Sequence, residues 1–325
     1  MSKAICIHEY GGPEVLRWED VAVGEPGPGQ LRIRHAAVVL NYIDIYHRIG
    51  LYPLPSLPWT LGMEGAGRVE AVGASVTEFQ VGDRVAYASP PVGAYAEVRL
   101  IPADRVVALP ETIDDQTAAA MMLQGMTAQY LLRRTYRVQP GDAILLHAAA
   151  GGVGLIVSQW AQQLGALVIG TVGSDEKAEI ARAHGCHHAI VYSRENFVDR
   201  VREITNGQGV AVVYDSVGKE TFMGSLDCLR PLGMMVSFGN ASGPVPPFEP
   251  GMLAAKGSLF LTRPTLMTYT AKREDLVATA AELFEVVAIG ALEIEVWQTC
   301  PLAKTAQAHR DLEARKTTGS TVLMP

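Results

Sequence analysis

The chain has 325 residues, 48% of them hydrophobic and 19% charged, with 27 Lys plus Arg against 34 Asp plus Glu for a formal charge of -7. That length suits two domains, and that composition can bury large cores, which excludes a disordered chain. An acidic chain with no block of Lys or Arg is a poor nucleic-acid binder, since phosphate contacts need clustered cations. No apolar run approaches the roughly 18 residues a membrane helix needs.

The opening stretch Met1–Tyr10 has no apolar signal core and reads as a first β-strand, not an export signal. Up to residue 110 the chain is punctuated by Gly and Pro turns at Gly11-Gly12-Pro13, Gly24 to Gly29, Pro53 to Pro58 and Pro90-Pro91. Between them Leu31–Arg34, Arg68–Val72 and Ala94–Arg99 alternate with period two, and Gly82–Tyr87 opens on a turn pair. Short strands with glycine turns predict a compact β-barrel or sandwich.

Near residue 114 the pattern becomes helical and continues through Thr127–Arg134. From residue 142 to 240 strands alternate with helical segments. The predicted strands are Ala143–His147, Leu167–Val172, Ala189–Tyr192, Val210–Tyr214 and Met234–Phe238. That alternation is the sequence form of a parallel, doubly wound sheet, so the fold class is α/β. A further helix is predicted over 272–290 and another near the C-terminal end. The cysteines Cys6, Cys186, Cys228 and Cys300 are scattered, with no CxxC pair. Neither a disulfide framework nor a zinc cluster is expected, and a cytoplasmic, reduced protein is the simplest reading.

The strongest motif is His147-Ala148-Ala149-Ala150-Gly151-Gly152-Val153-Gly154, between an apolar strand and a segment of helical period. In the GxGxxG frame the three positions are Ala149, Gly151 and Gly154, so the first glycine is replaced. Gly151, Gly152 and Val153 would bring backbone N–H groups to a pyrophosphate at a helix N-terminus, and Gly154 would let helix and strand pack closely. An NAD enzyme normally carries an acid at the tip of the next strand. Here that strand ends in Gly173-Ser174, with Lys177 three residues on and Tyr192 ending the following strand. Neutral and cationic groups favour a 2′-phosphate, so NADPH is the expected cofactor. The opposing reading has Asp175 or Glu176 reaching the ribose; both suit a first helical turn instead.

These features run in a fixed order with several others. They are Gly11 to Leu16, Asn41-Tyr42-Ile43-Asp44-Ile45-Tyr46 with Gly50 to Pro53, Gly65-Ala66-Gly67, Gly82 to Val85, Val213 to Gly218, Ser237 to Asn240, Thr262-Arg263-Pro264 and Arg315 to Ser320. The series resembles the medium-chain dehydrogenase/reductase superfamily, and within it the quinone oxidoreductases related to zeta-crystallin. The resemblance implies a GroES-like catalytic domain over 1–122 and again over 263–325, with a Rossmann NADPH-binding domain over 123–262. Cofactor and substrate would sit in the cleft between them. Zinc-dependent relatives carry Cys and His where this chain has Asn41 and Met63, and four close cysteines in a loop where it has none, so no metal is expected.

By resemblance, Asn41, Tyr42, Ile43, Asp44 and Tyr46 contact the cofactor, and Asn41, Tyr46 and Tyr52 orient the substrate carbonyl. Tyr52, beside Pro53, reads equally as a packing residue. Thr127 and Tyr130, placed at the start of the helix into the Rossmann domain, would contact nicotinamide and ribose. Gln124 stands where family members often carry Lys. Ser216, Val217, Phe238, Gly239 and Asn240 follow strand ends, where such sheets bind ligands. Arg263 and Arg315 are candidate phosphate contacts, with a surface ion pair as the alternative for Arg315. The implied activity is metal-free reduction of a quinone by NADPH. Reduction of activated C=C bonds in enones or alkenals stays open, as does a non-enzymatic NADPH- or RNA-binding role. The run Gly257–Thr262 reads as an apolar edge strand, seldom left bare, and predicts a homodimer.

Overall fold

The computed structural model describes all 325 residues. The chain forms two compact units, one of Met1–Met126, Thr270–Ala288 and Ile294–Pro325, the other of Thr127–Tyr269 and Ile289–Glu293.

The first unit begins with β1 (Ser2–Ile7), β2 (Arg17–Val21) and β3 (Gln30–Leu40), then α1 (Tyr42–Arg48). It continues with β4 (Trp59–Thr60), β5 (Glu64–Val72), β6 (Arg84–Ala88), β7 (Val98–Pro102) and β8 (Val107–Ala108). One sheet has the order β2-β1-β4. In the other, the C-terminal strands Val296–Pro301 and Ser320–Met324 are followed by β3, β5, β6 and β8, while β7 pairs with β3. Leu31, Ile33, Val38, Val69, Val85 and Ile101 point inward from β3 and its neighbours and form the centre of the core. Each fully buried aliphatic side chain contributes about 1.5–3 kcal/mol relative to exposure.

The strand expected over Ala94–Arg99 starts instead at Val98. Residues before it leave the ladder to serve other backbones: Tyr95 O accepts from Ile5 N–H at 2.8 Å and Ala94 N–H donates to Gly62 O at 3.0 Å. Ala94, Tyr95 and Ala96 are all buried, and Ala96 pairs with Ala4 only in an isolated antiparallel bridge.

α2 (Asp115–Tyr130) starts where expected, because Asp114 Oδ1 accepts from the N–H groups of Gln116 and Thr117 at 2.9 Å each. Thr127 and Tyr130 therefore lie in its last turns, not at the start of a helix, and a wide turn over Leu131–Thr135 follows.

The second unit is built on β9 (Ala143–His147), β10 (Leu167–Val172), β11 (His188–Val191), β12 (Val210–Asp215), β13 (Leu229–Ser237) and β14 (Phe260–Thr262). The order β11-β10-β9-β12-β13-β14 is parallel throughout, the doubly wound arrangement whose order reverses between β9 and β12. Ile144, Leu145, Leu146, Val212 and Val213 are wholly buried, as a parallel sheet covered on both faces requires. α3 (Gly152–Gln163), α4 (Asp175–Ala183), α5 (Phe197–Ile204) and α6 (Phe222–Cys228) supply the cover. No helix is long and apolar enough to cross a membrane.

Candidate active site

The glycine turn lies between β9 and α3. Ala148 takes the left-handed conformation at φ 57°, so the sharp turn falls one residue earlier than the motif frame suggests. Ala149 keeps a side chain because Gly170 of β10 stands opposite. A Cβ on Gly170 would come within 2.5 Å of the Ala149 methyl and 2.8 Å of Cys186 Sγ. Gly154 is needed for close packing, since a Cβ there would lie 2.7 Å from Ala149 O. Gly151 is the N-cap of α3 with no side-chain cap, which leaves the first N–H groups of the helix for a ligand.

At the tip of β10, a Cβ on Gly173 would meet the Tyr192 hydroxyl at 2.8 Å, so the glycine makes a cradle under that ring. Ser174 caps α4, its Oγ accepting from Lys177 N–H at 3.3 Å, which gathers Ser174, Lys177 and Tyr192 around Gly173. Asp175 does lie in the first turn of α4, where Arg194 pairs with it at 2.6 Å and lowers its carboxyl. The residues fit a phosphorylated ribose better than a bare one: Ser174, Lys177 and Tyr192 bring hydroxyls and a cation, and Asp175, one of two acids in the first turn of α4 with Glu176, is paired with Arg194.

Across the sheet, Asp215 closes β12 and is wholly buried. Its Oδ1 accepts from Val217 N–H at 2.8 Å and Gly218 N–H at 2.9 Å, which fixes the turn bearing Ser216 and Val217. Phe238 and Gly239 hydrogen-bond back to Asp215 O, and a Cβ on Gly239 would lie 2.8 Å from Ser216 Cα. With its amide oxygen turned to Arg263, Asn240 accepts from Arg263 Nη2 at 3.3 Å. Thr127 and Tyr130 share a hydrogen bond, and burial pushes the Tyr130 hydroxyl well above its usual range, with the Arg263 charge opposing.

In the first unit, Asn41 precedes α1 and Tyr42, Ile43, Asp44 and Tyr46 lie within it. Asn41 N–H donates to Asp44 Oδ2 at 2.8 Å, which starts the helix. Tyr46 packs edge-on to Tyr52 with centroids 5.3 Å apart, and Tyr42 lies 6.3 Å from Tyr46, so the three tyrosines form one cluster. Asp44 is wholly buried, its Oδ2 also accepting from Tyr95 Oη at 2.9 Å. Its Oδ2 holds the start of α1, and its Oδ1 is buried without a hydrogen-bond partner. Arg315 stands in this unit, exposed, in the turn after the helix Thr305–Glu313.

Sequence reasoning missed several residues at these sites. Glu64 is wholly buried and accepts from Asn41 Nδ2 at 2.5 Å; an acid inside the otherwise small and apolar run Gly62–Gly67 was the available signal. Arg48, 1% exposed, anchors the end of α1 through Glu313 at 2.7 Å, His309 Nδ1 at 2.9 Å and Gly11 O at 3.0 Å. Tyr269 stacks on Tyr130, and nothing in its sequence surroundings marks it. His147 is no ligand: it is buried between Thr171 Oγ1 and Ser225 Oγ, 2.9 Å from each. No three His, Cys, Asp or Glu side chains come together in an arrangement that could hold a metal ion.

Residues 152–284 match the family model described as zinc-binding dehydrogenase, and residues 27–111 match the alcohol dehydrogenase GroES-like domain. The chain is 55% identical to the quinone oxidoreductase of Pseudomonas aeruginosa, covering 100% of both chains. It is 49% identical to a 2-haloacrylate reductase of a Burkholderia species, covering 100% of this chain and 99% of that one. The crystal structure of Escherichia coli quinone oxidoreductase complexed with NADPH aligns with a TM-score of 0.98 at 47% identity, covering 99% of this chain and 100% of that one. Similarity at this level runs over the full length of the chain, and on that ground the chain belongs to the quinone oxidoreductase family of the medium-chain dehydrogenase/reductase superfamily.

Proposed function

We propose that the protein is an NADPH-dependent reductase that delivers a hydride to a quinone without a metal ion. The observation that carries the reading is the full-length identity of 55% to a quinone oxidoreductase. It is supported by the NADPH complex of the E. coli relative and by the Ser174–Lys177–Tyr192 corner around Gly173.

NADPH, when bound, supplies the hydride. The α3 N-terminus with Gly151, Gly152 and Val153 receives the pyrophosphate, and Ser174, Lys177 and Tyr192 the 2′-phosphate. Thr127, Tyr130, Ser216, Val217, Phe238, Gly239, Asn240 and Arg263 line the nicotinamide and ribose side within the second unit. A quinone is already a strong hydride acceptor, so it needs little electrophilic help. Asn41, Tyr46 and Tyr52 orient its carbonyl and stabilise charge developing on the oxygen, each donor worth about 1–3 kcal/mol. The rest of the rate comes from proximity and excluded water.

Reduction of an activated C=C bond is the second reading, favoured by the 49% identity to a 2-haloacrylate reductase. A panel of quinones, enones and 2-haloacrylates assayed with NADPH and NADH separates the two. Fast turnover of quinones with NADPH is expected; turnover of the alkenes alone overturns the quinone reading.

We also propose a homodimer through the edge of the second unit's sheet. β14 is the edge strand, shorter than Gly257–Thr262, with Phe260 57% exposed and Leu232 66% exposed beside it. Leu259 is buried in its own core, so Phe260 is the residue that tests the contact. Phe260→Glu should give a monomer by light scattering, and a wild-type monomer at micromolar concentration overturns the proposal.

A further inference from the structure

Asn41 is one of three residues assigned to the substrate carbonyl, yet a side-chain amide can present either its oxygen or its nitrogen. The surroundings decide which. Asn41 Nδ2 donates to Glu64 Oε1 at 2.5 Å, and Asn41 Oδ1 accepts from Gln124 Nε2 at 3.2 Å. Both partners are themselves tied down: Glu64 Oε2 accepts from Leu123 N–H at 2.6 Å, and Gln124 Oε1 accepts from Ser320 Oγ at 2.9 Å. Turning the Asn41 amide over would set its oxygen against the Glu64 oxygen and its NH2 against the Gln124 NH2. Turning Gln124 over would set its oxygen against Asn41 Oδ1 and cost the bond it accepts from Ser320. Exposures of 7% for Asn41, 0% for Glu64, 5% for Gln124 and 4% for Ser320 leave no water to relieve either clash.

We propose that Glu64, Gln124 and Ser320 are positioning residues that lock the Asn41 amide in one orientation, so that a single Nδ2–H of defined direction is left for the acceptor's carbonyl. The inference rests on the reading of Asn41 under Proposed function. It also gives Gln124 a role that a charged residue at that position would fill differently: an ammonium could donate to Asn41 Oδ1 but could not accept from Ser320.

The test is a double-mutant cycle in kcat with the quinone turned over fastest. Glu64→Gln removes one of the two acceptors that Asn41 and Leu123 need, because one end of the new amide must be NH2. Expected are a fall in kcat of about tenfold in Glu64→Gln and at least as large a fall in Asn41→Ala. The double variant should be no slower than Asn41→Ala alone. KM for NADPH should stay within about twofold in each. Gln124→Leu in place of Glu64→Gln should show the same non-additivity, should the latter fold poorly by thermal melting. A general structural role would lower the melting temperature and give additive losses, and additive losses or unchanged kcat in both Glu64→Gln and Gln124→Leu overturn the inference. Full kcat in Asn41→Ala overturns the reading of Asn41 itself, and this inference with it.

Discussion

Tyr130 and Tyr269 stack face to face, with ring centroids 4.5 Å apart and 12° between planes. The outer ring is clamped: Arg134 lies over it 5.1 Å from the centroid and donates to Tyr269 O at 2.8 Å, and Thr135 Oγ1 donates to its hydroxyl at 2.8 Å. An aromatic pair of this kind contributes about 1 kcal/mol beyond area burial. Tyr130 is assigned to the cofactor, so its backing should be felt there. Tyr269→Ala is expected to weaken NADPH binding by roughly threefold to tenfold, read by fluorescence titration, while Tyr269→Phe stays near wild type. Unchanged affinity in Tyr269→Ala would remove Tyr130 from the nucleotide site.

Cofactor preference turns on the end of β10. Lys177 supplies the charge there, while Asp175 is occupied by Arg194 at 2.6 Å. NADPH is expected to bind at least about tenfold tighter than NADH, a difference of about 1.4 kcal/mol. Lys177→Ala should remove most of that preference by weakening NADPH and sparing NADH. Calorimetric titration of both nucleotides decides it, and equal affinities in the wild type would refute the assignment.

The tyrosines in the proposed carbonyl site act as donors, not as an indispensable acid. Tyr46→Phe and Tyr52→Phe should each slow quinone reduction by tens-fold or less. Incubation with a chelator should leave the rate unchanged. A drop of about ten thousandfold in either variant, or loss of activity with the chelator, would show that a dedicated catalytic group lies elsewhere.

Buried titratable groups in the first unit set the pH range of stability. Burial pushes Asp44 up to about 7, and its Oδ1 has no donor to oppose a proton there. Burial raises Glu64 as well, against the N–H donors from Asn41 and Leu123 that hold both its oxygens and favour the carboxylate. The folded state keeps the Asp44 proton while the unfolded chain releases it from about pH 4 upward. Its contribution is therefore full at low pH and is lost as pH rises through the folded value. Burial instead lowers His35 to about 3, His47 to about 4 and His309 to about 3. There the unfolded chain takes up protons first, so stability is lost as pH falls below about 6.5. The histidines outnumber Asp44 in the acid range, so thermal melting should rise from about pH 4 to about pH 6.5. Asp44→Asn should steepen that rise; an unchanged slope would show that Asp44 is ionised throughout.

Much of this protein could be read from residue order alone. The strands Ala143–His147 and Leu167–Val172 occur as the apolar runs mark them, because a parallel strand covered on both faces must be apolar along its whole length. The glycine turn and the tip Gly173-Ser174 are legible for a related reason: positions that need close backbone approach admit few residues, and those lie adjacent in the chain. What tertiary structure alone decided involves partners far apart in sequence. Glu64 meets Asn41 across 23 residues, Ser320 meets Gln124 across 196, and Tyr269 meets Tyr130 only once the chain has passed through all six parallel strands. Local periodicity reports which face of an element is buried, but not which distant side chain it is buried against. The left-handed turn at Ala148 rather than at Ala149 has the same origin, since it depends on the space that Gly170 leaves on the neighbouring strand.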